Sequence, residues 1–398
     1  MRGGAETVFF QEREYLKRAG YKVSEFSMRH PDNLKSDYDD YFVPQVEYQP
    51  GGMDKTDPNF VEKLRIAGNF IYHRRAITRL ERLIRREKPE IAHLHNIYHQ
   101  ISPAIIPLLK KSGIKIILSL HDYKLICPAY NMMRHDRICS KCRGRKFWHV
   151  ISGRCEGHSI TRSMLLAVEA YWHYWARSYE HVDLFLAPSR FMKQQMLRYR
   201  LKRGKVKILH NGVDCKDWTP QGEDGRYALF VGRILRGKGI QTFLEACRQL
   251  GWPLPVKVVG TGPQLKKYRE QFPQAEFAGF KTGRELEDIY RRAAFVVVPS
   301  EWYENCSMVV LEAMAHGKPV IGSRIGGISE QIDNGVSGLL FAAGDRQELA
   351  EKIDLLITDA SLRQQLGVQA RKKLEREYSL KNHCRQLVSI YKKLSAAF

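Results

Sequence analysis

Acidic residues are scarce in this sequence: 43 Asp and Glu stand against 65 Lys and Arg, leaving a formal net charge of +22. A balance so far from neutral points to an anionic partner, whether nucleic acid, an anionic membrane surface or a phosphorylated substrate. Long apolar runs are missing too, which excludes a hydrophobic helix spanning a bilayer. No basic-then-apolar segment opens the chain, so no secretory signal is read there and a cytoplasmic protein is expected. Low-complexity stretches and short-period repeats are absent, which sets aside solenoids and propellers. What is present is ordinary: 43% hydrophobic and 27% charged residues over 398 positions, enough for two or three domains with a large core.

Short β-branched or apolar runs alternate with helical patterns. KIILSL (115–120), DLFLAPS (183–189), VKILHNG (206–212), YALFVGRI (227–234), VKVVGTG (256–262), AEFAGF (275–280), AFVVVPS (294–300) and PVIGS (319–323) read as strands. Alternation of this kind predicts an α/β protein with parallel sheets covered on both faces. The strands fall into two groups separated by the polar segment 216–226, which reads as a linker. Two Rossmann-like domains with a cleft between them are expected: 1–214, then 215–378, with a final helix, 379–398, packing back on the first. The opening GGAE is a tight turn into a helix, followed by KVSEF as a strand. No strand precedes the Gly-Gly turn, although in a doubly wound sheet that strand is usually central; the expectation is either an N-terminal sheet lacking its first strand or a true start that lies upstream.

Several segments carry chemistry. Gly3 and Gly4 at a helix start allow close backbone approach and offer amides to a phosphate; a plain tight turn is the competing reading. VGRILRGKG (231–239) does not complete the P-loop pattern, but it places Arg233 and Lys238 on a Gly-spaced loop after a strand, which suits a diphosphate. VVGTGP (258–263) starts like a dinucleotide fingerprint and has Leu265 where the third glycine belongs. EWYENCSMVVLEAMAHGKP (301–319) holds Glu304 and Glu312 around an apolar run. Buried carboxylates are costly unless paired or hydrogen-bonded. Eight helical residues rise about 12 Å, so the two cannot grip one atom. With Asn305 and Ser307 as helix-start residues, the amides from about Ser307 to Val309 lie between them. The order carboxylate, anion site, carboxylate fits a nucleoside diphosphate sugar.

The segment EWYENCSMVVLEAMAHGKPVIGSRIGGISE resembles the E-x7-E region of the retaining glycosyltransferases of family 4, which have the GT-B fold. GGAE, SLHDYKLICP (119–128), APSRF (187–191), HNGVD (210–214), VGRILRGKG, VGTGP and IGGISEQIDNGVSGLLF (325–341) extend the resemblance over nearly the whole chain. The resemblance implies that Glu312 holds the ribose hydroxyls and Glu304 contacts the donor sugar. Arg233 and Lys238 are expected to neutralise the diphosphate, and His121 to lie near the donor sugar. Gly3 and Gly4 face the phosphates, with the backbone of Ser307, Met308 and Val309 beneath them. Phe280 stands where the nucleobase is expected. There is no Asp-x-Asp pair in the expected place, in line with metal-independent catalysis in the family, and retention resembles a front-face process without a protein nucleophile. A polysaccharide or glycolipid type is implied, with a glycan or lipid-linked acceptor.

Cys127, Cys139, Cys142 and Cys155 cluster in a long basic loop, 122–155, that follows His121. Four thiols with one C-x2-C knuckle suit structural zinc, and four reduced thiols without metal are the alternative. Residues 61–88 read as a basic amphipathic helix suited either to an anionic membrane surface on the inner face or to a solvated flank of the N-terminal domain. Two other functions stay open: a basic, zinc-containing nucleic-acid-binding protein, or a GT-B relative such as an epimerase or phosphorylase. Against the first, no recognition helix or aromatic RNA motif occurs, so no nucleic-acid partner is expected.

Overall fold

Runs of Val, Ile and Leu form two parallel sheets in the computed structural model, which describes residues 3–45, 60–199, 201–215 and 225–396, the side chains of 60–64 excepted. The first sheet has four strands side by side in chain order: β1 Ile91–His95, β2 Lys115–Ser119, β3 Leu184–Ala187 and β4 Val206–Ile208. The second has six: β5 Tyr227–Val231, β6 Val256–Val259, β7 Glu276–Gly279, β8 Ala293–Val298, β9 Val320–Ser323 and β10 Gly338–Phe341. Its order is β10-β9-β8-β5-β6-β7, so the winding reverses between β5 and β8. Every residue of β8 is buried, as a central parallel strand covered on both faces requires. In such a sheet ligands bind beyond the carboxyl ends of the strands at the reversal.

All eight runs read as strands contribute to the sheets, and the two Rossmann-like halves of the GT-B fold follow. KVSEF does not. Residues 22–26 form no strand, and the nearest pairing is an isolated bridge, Met28 to Val43. Their charges are used locally: Lys22 pairs with Glu87 at 2.9 Å, and Glu25 with Arg13 and Lys17 at 3.3 and 2.7 Å. Among the described residues no strand precedes the helix Gly4–Arg18, and β1 is the edge of its sheet. Most of the linker reading, 216–224, lies outside the described residues.

The basic region is two helices, Phe60–Ile71 and Arg74–Glu87, divided where His73 Nδ1 caps Ala76 N at 3.1 Å. The apolar side of the second helix, Ala76, Leu80 and Leu83, is buried in the N-terminal core, so it is not free to enter lipid. Arg74, Arg75, Arg82, Arg85 and Arg86 face solvent. The last helix, Leu380–Ser395, crosses back to the first sheet. Leu387 is buried there against Ile117, Leu184, Leu186 and Leu209.

Candidate active site

Glycines shape the loops at the reversal point. Gly239 has φ +68°, and a Cβ there would lie 1.8 Å from the Pro299 carbonyl oxygen. No other residue lets the loop after β5 press so closely on the loop after β8. Gly260 and Gly262 of VGTGP serve the same end. Cβ atoms on them would meet the carbonyl oxygens of Gly232 and Ile234 at 1.9 and 2.3 Å. These glycines admit neighbouring protein backbone rather than a ligand, which explains why the third glycine of a dinucleotide fingerprint is dispensable here.

That contact brings Lys238 to Glu304. Lys238 Nζ donates to Glu304 Oε1 at 2.6 Å, and the same oxygen accepts from Trp302 Nε1 at 2.7 Å and Ser300 Oγ at 2.9 Å. Burial would raise the Glu304 pKa, but the Lys238 charge and the three donors hold it below the usual carboxylate range. Arg233, on the same loop, is exposed and makes no ion pair among the described residues.

Glu312 lies on the helix Met308–Ala315 and accepts from the Tyr290 hydroxyl at 2.7 Å. Burial without a cation pushes its pKa up to about 7. The two carboxylates are thus opposed in kind: one ionised and cation-bound, the other poised near neutrality. Between them the helix start is partly used. Ser307 N donates to Gln331 Oε1 at 2.8 Å, and Gln331 Nε2 returns a bond to Ser307 O at 2.9 Å. The expectation of a free Ser307 amide is therefore corrected. The amides of Met308 and Val309 have no bonded acceptor among the described residues.

The N-terminal half closes the site. A Cβ on Gly4 would meet Met308 Cγ at 2.9 Å, so the Gly-Gly turn abuts this helix start. The Gly3 amide, however, donates to Glu6 Oε2 at 2.9 Å, a capping-box bond that replaces the expected open phosphate contact. His121, after β2, arrives through its backbone: Asn305 Nδ2 donates to its carbonyl oxygen at 2.5 Å. Its Nε2 lies 2.8 Å from His95 Nδ1, and burial lowers its pKa to about 3, so the ring is neutral. Phe280 follows β7 at the sheet edge and is 61% exposed.

Sequence reasoning missed Glu12 and His383, which stand behind His121. Glu12 is buried, with His93 and His95 nitrogens 3.4 Å from Oε2 and His383 Nε2 2.9 Å from Oε1. Burial would raise its pKa; the neighbouring His93 and the bonds from His383 and His95 hold it well below the usual carboxylate range. Helical spacing puts Glu12 on the same face as the buried Val8 and Leu16, a signal that was there to read; its charge argued for the surface, and its partners lie far away in sequence. Glu330 was missed likewise: its carboxylate accepts from the Arg190 and Phe191 amides at 2.8 and 2.5 Å, capping the helix Arg190–Arg198 of the other half.

The four clustered cysteines line one small pocket together with His149 and Tyr199, and none is in a disulfide.

This fold and cleft define a GT-B protein, with a basic loop, two carboxylates and a helix start facing a histidine-bearing half. Residues 2–217 match the family Glycosyltransferase Family 4, and residues 217–373 match Glycosyl transferases group 1. The chain belongs to glycosyltransferase family 4. It is 31% identical over 218 residues to an uncharacterized glycosyltransferase of Methanocaldococcus jannaschii, covering 54% of this chain and 60% of that one. It is 29% identical over 251 residues to an alpha-maltose-1-phosphate synthase of Mycolicibacterium smegmatis, covering 54% and 65%. The matched regions thus span somewhat under two thirds of these relatives. Among solved structures, sucrose-phosphate synthase from Thermosynechococcus elongatus is similar over 100% of this chain and 94% of that one, with a TM-score of 0.73 and 19% identity. HepE of Anabaena in complex with UDP is similar over 79% and 82%, with a TM-score of 0.60 and 16% identity.

Proposed function

We propose that this protein is a retaining glycosyltransferase that moves a hexose-type sugar from a nucleoside diphosphate sugar to a glycan or lipid-linked acceptor without a metal cofactor. The observation that carries the reading is the convergence of the Glu304–Lys238 pair, Glu312 and the Met308 helix start at the point where the C-terminal sheet reverses, with His121 opposite. Residues 215–378 are the donor side and 1–214 the acceptor side. Glu312 binds the ribose hydroxyls, and the nucleobase lies toward Phe280. Uridine is the first base to try, because HepE was solved with UDP and with UDP-glucose.

The leaving diphosphate develops negative charge. Lys238, Arg233 and the Met308 and Val309 amides stabilise it by preorganised positive potential. Lys238 turns from Glu304 to the phosphate as donor enters, which frees Glu304 to accept from the sugar. Neutral His121 hydrogen-bonds the sugar, and the leaving phosphate takes the acceptor's proton on the same face.

A thermal-shift panel with UDP, GDP, ADP, dTDP and their sugar conjugates tests this, because ligands of the folded state raise its apparent stability. The expected result is stabilisation by one nucleotide family, lost in Glu312→Ala. A folded protein that responds to none of them defeats the reading. The exposed arginines of the helix Arg74–Glu87 supply the contact with the inner membrane face that a lipid-linked acceptor requires. Salt-sensitive co-sedimentation with anionic vesicles is expected, and no pelleting at low salt would remove that part.

A further inference from the structure

The loop between β2 and the helix Ile160–Trp175 does two things the transferase chemistry does not account for. It gathers four cysteines, and it sends a hairpin across to the other half of the molecule. Cys127, Cys139, Cys142 and Cys155 lie in a C-x11-C-x2-C-x12-C pattern and line a single pocket. Met133–Arg134 pairs with Arg137–Ile138 in an antiparallel hairpin rooted between Cys127 and Cys139. At its turn, Asp136 accepts from Arg236 Nη1 at 3.0 Å. Arg236 opens the turn Arg236–Lys238 that delivers the active-site lysine.

We propose that Cys127, Cys139, Cys142 and Cys155 hold one zinc ion, which anchors the root of this hairpin and so steadies its reach to the Lys238 loop. Four thiolates on one centre form a tetrahedral, all-sulfur set of the kind that holds zinc or iron, and Cys139 and Cys142 supply one close C-x2-C pair of the kind structural zinc sites use, with Cys127 and Cys155 completing the four. Binding exchanges the four thiol protons for the metal, and the protons go to solvent. The resulting centre carries two negative charges. Its surroundings are suited to that: Arg134, Arg137, Lys141, Arg143, Arg145 and Lys146 all lie in the same loop. A Cβ built on Gly153 would stand 2.8 Å from Cys155 Sγ and 3.0 Å from Arg134 Nε, so sulfur and guanidinium crowd the same spot. Backbone amides of Ala129 and Met132 approach the Cys127 sulfur, and that of Val150 approaches Cys142. Amides turned toward sulfur are the outer-shell partners that thiolate ligands use.

The sulfurs have not closed to ligand spacing. Among the described residues the one group already within 4.8 Å is Glu12, His93 and His95. That group is satisfied without a metal: His93 bonds Tyr391 and Ser119 at 2.7 and 2.8 Å, and Glu12 bonds His383. The thiols have backbone amides at Cys127 and Cys142 but no ion pair or disulfide among the described residues, and a metal would draw them together across the pocket they share.

The test is metal content by mass spectrometry on full-length protein purified under reducing conditions without a histidine tag or metal column. About one zinc per chain is expected. It should be released when a mercurial blocks the thiols and largely lost in the Cys139→Ser/Cys142→Ser double variant. If that variant fails to fold, the wild-type measurement stands alone. Protein with well under one zinc per chain that also fails to take up added zinc overturns the proposal, as would equimolar iron or a disulfide among the four cysteines. Metal content is read without activity, so failure here leaves the transferase reading untouched.

Discussion

Glu304 and Glu312 look equivalent in sequence and differ in what surrounds them. Lys238, Trp302 and Ser300 keep Glu304 ionised, while Glu312 has Tyr290 alone and titrates near 7. An ionised carboxylate accepts more strongly from ribose hydroxyls than a neutral one. Nucleotide affinity should therefore rise as pH goes from 6 to 8, and Glu312→Gln should flatten that rise, as titration calorimetry at several pH values would show. Stability moves the other way. The folded state holds the Glu312 proton more tightly than the unfolded chain, so this residue costs stability as pH climbs from its ordinary value toward 7. Glu312→Gln should be the more stable protein at pH 8, by about 1–3 kcal/mol, with the gap closing at pH 5. A gap of the same size at both pH values would show that the carboxyl is not buried as described. At Glu304, replacement by Gln leaves Lys238 without its partner. A fall in turnover of at least about a hundredfold is expected, with folding largely kept.

The elements were legible where apolar runs were long. β8, buried throughout, could hardly be anything else, and the order of strands and helices was enough for two Rossmann-like halves. What failed was governed by distant partners. KVSEF has a strand's composition, but its charged residues pair with helices on either side and the sheet does not extend to it. β1 and β10 went uncounted because AHLH and GLLF are short and sit amid polar residues. At the site, the loop and carboxylate residues could be read from motifs, whereas Gln331 could not. Nothing in the sequence of a single glutamine says that it braces a helix start 24 residues away through both Ser307 N and Ser307 O. Gln331→Ala should unseat that turn, leaving the buried Ser307 amide unpaired and its carbonyl with only the long bond from Leu311 N at 3.4 Å, at a cost of about 1–3 kcal/mol. Because the turn lies beneath the proposed diphosphate, donor affinity should fall along with denaturant stability. Loss of stability with unchanged nucleotide affinity would separate the brace from the site.

At the scale of the molecule, the two halves are joined at several points besides the linker. Asn305 bonds the His121 carbonyl, Glu330 caps a helix of the opposite half, and Arg236 meets Asp136. The final helix begins beside the C-terminal half, where Ser379 bridges Val213, and then runs across the N-terminal sheet. His383 on that helix bonds Glu12 and the His210 carbonyl oxygen, while Leu387 fills the apolar seat on β2 and β3. Such a strap couples the halves only if it unfolds with both. Leu387→Ala removes fully buried methyl groups and should cost about 2–5 kcal/mol. If the strap binds the molecule into one cooperative unit, calorimetry should show a single transition moving down as a whole. Two transitions, of which just one shifts, would mean that the helix serves the N-terminal half alone and that the cleft is held by its polar contacts.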